Sequence, residues 1–130
     1  MNAADGAPGR ITHQPVEYAM VLAIAGALNK SLAQILLDEV QAAVVARPQV
    51  VMQLAEVESA DSAGLGALIR GLKLARDAGG DLILAQPSLP VAELIDQTGL
   101  DTVFRIFNDT TTAIQAIAPA SNQWGTRSAA

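Results

Sequence analysis

At 130 residues, about half of them apolar (51%), the chain has material for one hydrophobic core and too little for two. A formal charge of -5 argues against a nucleic-acid or acidic-lipid partner while leaving room for a local basic patch, and an aromatic content of 3% argues against a stacking platform for bases. With no cysteine and a single histidine near its start, His13, the chain lacks the means for a disulfide framework, a thiolate nucleophile, a cysteine- or histidine-rich metal site or a Ser-His-Asp triad.

Met1 to Gly9 is small and polar, and the chain up to residue 10 is expected to be a disordered leader. Asp5, Pro8 and Gly9 give it neither the basic start nor the apolar stretch of a secretory signal. Ile11 to Val16 reads as a short edge strand, where Pro15 is tolerated because an edge does not need every N–H. Tyr18 to Ile24 reads as a buried strand ending at Gly26. The longest apolar run, Ala19 to Leu28, falls far short of the roughly 20 residues of a membrane span, so no direct membrane insertion and a cytoplasmic location are expected.

Ser31 is the expected N-cap of a helix carrying Leu32, Ile35, Leu36, Val40, Ala43 and Val44 at three- and four-residue spacing and stopping before Pro48. Val50, Val51, Met52 and Leu54 form a nearly continuous apolar run, the pattern of an interior strand. A loop is expected over Glu56, Glu58, Ser59 and Asp61. From Ser62 a second helix sets Leu65, Leu68, Ile69, Leu72 and Ala75 on one side, and Gly79 and Gly80 end it. Arg70 and Lys73, with Arg76 near the boundary, read as a solvated face.

Leu82 to Ala85 is a third apolar strand. Pro87 and Pro90 bracket the turn into a helix with Val91, Leu94 and Ile95, closed by Gly99. Val103 to Phe107 is expected as a last strand with at least one of Phe104 and Phe107 in the core, and Asp109 or Thr110 caps a final helix with Ala113, Ile114 and Ile117. Residues 119–130, with Trp124 alone among small and polar neighbours, are expected to be a flexible tail. This alternation predicts one α/β domain over residues 11–118, a central mixed sheet of four or five strands with about four helices packed against it and right-handed crossovers.

One stretch concentrates chemistry: Glu56-Val-Glu-Ser-Ala-Asp-Ser-Ala-Gly-Leu-Gly66. Ser62 in the first turn of a helix caps orphan N–H groups or, once phosphorylated, faces them with a dianion, and Gly64 and Gly66 permit a close approach by a partner or by backbone. Ordinary capping by Asp61 and Ser62, with Gly64 relieving packing, accounts for the same residues. No base other than carboxylates stands nearby, so Ser62 is not read as an unaided nucleophile. Neither G-x-x-x-x-G-K-[ST] nor G-x-G-x-x-G occurs, so the glycines do not form a nucleotide cradle, and carboxylates such as Glu56, Glu58 and Asp61 more often face water than a cation.

Leu54-Ala-Glu-Val-Glu-Ser-Ala-Asp-Ser-Ala-Gly-Leu-Gly-Ala-Leu68 resembles the central signature of the STAS domain, the anti-sigma factor antagonist family. The resemblance extends from about Val16 to Ile117 through Ala25-Gly-Ala-Leu-Asn29, Gly79-Gly80-Asp81 and the Leu94 to Phe104 segment with its Thr-Gly-Leu-Asp. It implies a STAS-like fold and a protein that is not an enzyme and needs no cofactor. In such a protein Ser62 is phosphorylated by a partner anti-sigma factor acting as a serine kinase, which supplies the nucleotide and magnesium. Unphosphorylated protein binds that kinase, and phosphorylated protein lets go.

The implied partner surface comprises Asn29, Ser31, Glu56, Glu58, Ser59, Asp61, Ser62, Ala63, Gly64 and Leu65. Family members often place aspartate where this chain has Asn29 and Gln53, a departure that bears on partner choice or on phosphorylation itself, while Asn29 still suits a polar turn or cap. Two other readings are a non-catalytic STAS subunit of a transporter-associated or stress-signalling assembly, and a module binding a small anion or nucleotide at a helix N-terminus.

Overall fold

The computed structural model describes residues 8–16 and 18–117. Strand β1 (Arg10–Pro15) turns back into β2 (Met20–Leu28), which feeds helix α1 (Lys30–Ala46). Strand β3 (Gln49–Ala60), helix α2 (Ser62–Asp77), strand β4 (Asp81–Ala85) and helix α3 (Leu89–Thr98) follow. A 3-10 turn (Leu100–Thr102) leads to β5 (Ile106–Phe107) and α4 (Thr110–Ala116). The expected leader and tail, with Trp124, lie outside the described residues except for Pro8, Gly9 and Arg10, the last already in β1.

The five strands form one mixed sheet in chain order, β1 antiparallel to β2 and every later neighbour parallel. Parallel neighbours need crossovers, and the helices supply them. Because side chains alternate along a strand, β3 serves two cores at once. Val50, Met52 and Leu54 join Leu22, Leu36, Val40, Leu68, Leu72 and Val91 on the face covered by α1, α2 and α3. Val51 joins Val21, Ile83, Ala113 and Ile117 on the face covered by α4.

Several boundaries differ from expectation for physical reasons, among them the end of β2, which runs past Gly26 to Leu28 because β3 pairs with it there. The carboxylate-rich stretch continues β3: Glu56, Val57, Ser59 and Ala60 pair with Ala25, Gly26, Ala27 and Leu28 of β2. Beyond Gln53 the strand has lost β4 as a neighbour, so it carries exposed Glu56 and Glu58 around buried Val57. Asn29, not Ser31, caps α1, its side-chain oxygen accepting from the Leu32 N–H at 3.2 Å. The last strand shrinks to Ile106–Phe107 because the coil after Gly99 carries on into the expected strand, the Val103 and Phe104 N–H groups both donating to the Leu100 carbonyl, at 2.9 and 3.1 Å. Phe104 is buried with the three-helix core, and Phe107 packs against the other.

Candidate functional site

Parallel pairing sets the ends of β2 and β3 side by side, Leu28 opposite Ala60, so α1 and α2 begin next to each other. Asp61 joins the two turns. Its N–H donates to the Leu28 carbonyl at 3.2 Å, and its side-chain oxygen accepts from the Gly64 N–H at 2.9 Å, satisfying one orphan donor of α2. The two capped N-termini, Asn29 with Ser31 and Asp61 with Ser62, thus form a continuous polar rim.

Ser62 is the first residue of α2; it is exposed, and its hydroxyl makes no hydrogen bond among the described residues. Capping falls to Asp61, which leaves the serine hydroxyl available. Ala63 is half-buried beside it. Gly64 and Leu65 point inward instead: both are buried, and a Cβ added at Gly64 would stand 2.2 Å from the Leu28 carbonyl oxygen. The close approach that this glycine permits is that of the chain's own backbone, so Gly64 and Leu65 shape the rim from beneath.

Glu56 is exposed on the free stretch of β3, whereas Glu58 and Ser59 border a groove shared with Pro90, Glu93, Leu94 and Gln97 of α3. On the opposite flank Asn29, Ser31, Leu32 and Ile35 line a second groove with Pro8 and Gly9. The α3 residues were not legible as rim residues in the sequence, since only the pairing of β3 and β4 places them beside Ser59. The Ser88 N–H donates to the Leu54 carbonyl at 3.2 Å, anchoring the start of α3 there. Gln53 stands apart, donating to the Thr110 hydroxyl at 2.6 Å and accepting from the Ala55 N–H at 2.6 Å. Among the described residues no group of three or more His, Asp or Glu is placed to hold a metal ion.

The profile of the STAS domain matches residues 10–113. The chain belongs to the STAS domain family. Among curated STAS relatives, an anti-sigma F factor antagonist of Paenibacillus polymyxa is 28% identical over 72 residues, 55% of this chain and 62% of that protein. The matching region thus spans a little under two thirds of that relative's length. A candidate anti-sigma factor antagonist from Thermotoga maritima has the same fold, with a TM-score of 0.76 and 24% identity over 82% of this chain and 93% of that one. So does the Bacillus cell-fate determinant SpoIIAA in its phosphorylated form, with a TM-score of 0.67 and 17% identity over 84% of this chain and 100% of that one. No helix of the described residues is long and apolar enough to cross a membrane.

Proposed function

We propose that this STAS protein is a non-catalytic anti-sigma factor antagonist whose binding to an anti-sigma factor with serine kinase activity is switched by phosphorylation of Ser62. The observation that carries this reading is the Ser62 hydroxyl: exposed, unbonded, and held at the first residue of α2 by a cap that belongs to its neighbour Asp61. SpoIIAA, which has this fold, occurs in a phosphorylated and an unphosphorylated form.

The step is a phosphoryl transfer. The Ser62 oxygen attacks the γ-phosphorus of ATP bound to the partner, the bond to the β-phosphate oxygen breaks, ADP leaves, and the hydroxyl proton passes to a base of the kinase. Nucleotide, magnesium and base belong to the partner, and this chain supplies the hydroxyl. The product adds about -1.5 to -2 charges at neutral pH. That charge lands on a rim already carrying Asp61, with Glu58 and Glu56 farther back along β3, and a partner surface fitted to a neutral serine must release it.

The test uses the kinase that co-purifies with the chain from its host, incubated with ATP and magnesium. Mass spectrometry of the peptides should place one phosphoryl group on Ser62, and none on a Ser62→Ala variant. In calorimetry Ser62→Ala should bind the kinase as the unmodified chain does, whereas Ser62→Asp should weaken binding by about tenfold or more, the cost of one misplaced interfacial charge. Equal affinities for the two variants would sink the switch. Unmodified chain eluting in a fixed complex under every growth condition would instead favour the structural-subunit reading.

A further inference from the structure

Farther along the same two helices, α1 and α2 leave a groove between them on the side away from the sheet. Gln34, Leu37 and Gln41 line it from α1, and Arg70, Lys73 and Leu74 from α2, with Asp77 at the α2 terminus. Leu37 and Leu74 are only partly buried and form an apolar floor continuous with the core.

The two cations beside that floor make no ion pair among the described residues, although the Asp77 carboxylate lines the same groove. Arg76 and Arg105 both pair with Asp81, and Arg47 donates to the Val16 carbonyl. Arg70 and Lys73 are exposed and make no ion pair or hydrogen bond among the described residues. The Arg70 guanidinium lies back along α2 towards Gly66, its Nη1 3.5 Å from where a Cβ at that glycine would stand. In a chain of net charge -5, two unpaired positive charges therefore flank one leucine-floored trough. Helix periodicity alone reads these residues as a solvated face; the packing of α1 beside α2 puts the apolar floor next to them.

We propose that this groove docks an acidic amphipathic helix of a protein partner. A trough between two neighbouring helices has the shape that accepts a third helix, whose apolar ridge settles on the floor. Arg70 and Lys73, three residues apart, match carboxylates one turn apart on the incoming helix. Gln34 and Gln41 offer amides on the opposite wall, and Asp77 disfavours an acidic occupant at the far end. The surface rests on these residues and not on the state of Ser62.

The test titrates isotope-labelled full-length chain with a synthetic amphipathic helix about four turns long, leucines on one face and glutamates on its flanks. Amide shifts should cluster at Gln34, Leu37, Gln41, Arg70, Lys73 and Leu74, and added salt should weaken the complex. An Arg70→Glu/Lys73→Glu double variant should lose about tenfold in affinity, while Asp77→Asn should gain about twofold, a gain that loss of structure cannot mimic. Both altered faces are exposed, so an unchanged spectrum of each free variant confirms folding. Ser62→Asp should bind the peptide as the unmodified chain does.

Equal binding of a peptide with glutamine for every glutamate would overturn the proposal, as would shifts elsewhere on the chain or none at millimolar peptide. Phosphatidylglycerol vesicles shifting the same amides more strongly than the peptide would overturn it in favour of a lipid surface.

Discussion

Ser62 and Gly64 share one helical turn and divide the work in opposite directions. Ser62 faces solvent with a free hydroxyl, whereas Gly64 lets α2 start against the Leu28 carbonyl. A methyl at position 64 would stand 2.2 Å from that oxygen and 2.8 Å from the Leu28 side chain, so backbone would have to move. Gly64→Ala should therefore destabilise the fold by about 3 kcal/mol, the upper part of the overpacking range. Urea unfolding followed by circular dichroism measures it, and a midpoint equal to that of the unmodified chain would show that the two turns are less tightly joined. The sequence marked both residues as one motif. It offered packing relief at the glycine as one reading but could not name the contact, which is with a residue from another strand.

Helix α4 has only seven residues, too few to persist alone, and depends on its cap and its packing. Asp109 accepts from the Thr112 N–H at 2.7 Å, and the hydrogen bonds from Thr112 hold its carboxyl below the ordinary value of 3.8. A carboxylate with a lowered folded-state value stabilises the fold fully above its unfolded value and loses that contribution as pH falls through the folded one. Thr112 amide exchange, corrected for its intrinsic pH dependence, should lose protection as the solution is acidified below the carboxylate range, and Asp109→Asn should remove that dependence. A pH-independent Thr112 amide in the unmodified chain would exclude the cap as the cause. Gln53 holds the same helix from β3 by using a donor and an acceptor together, which an aspartate there could not do. Its departure from the family pattern thus has a structural use. At this scale the apolar runs were legible in the sequence, but the length of β3 was not: Glu56 and Glu58 look like loop residues until β2 pairs with them.

One sheet separates two cores, and neither core exists without it. Val50 and Met52 are shared by α1, α2 and α3, while Val51 between them belongs to α4. Unfolding should accordingly be a single transition, with far-UV circular dichroism and methyl resonances of residues on both faces giving coincident urea midpoints. Methyls near Ile83 and Ala113 melting earlier would show that the α4 face is an independent unit. The sequence by itself determined the α/β class, the helical stripes, the strand cores and the motif around Ser62, because each is written in spacings of a few residues that local backbone geometry converts directly into structure. Only the tertiary structure decided that the helices capped by Asn29 and Asp61 begin side by side, that α3 borders the free end of β3, and that Arg70 and Lys73 overlook Leu37. Each of these depends on strand order and register, which bring together residues far apart in the chain, and no local periodicity carries that information.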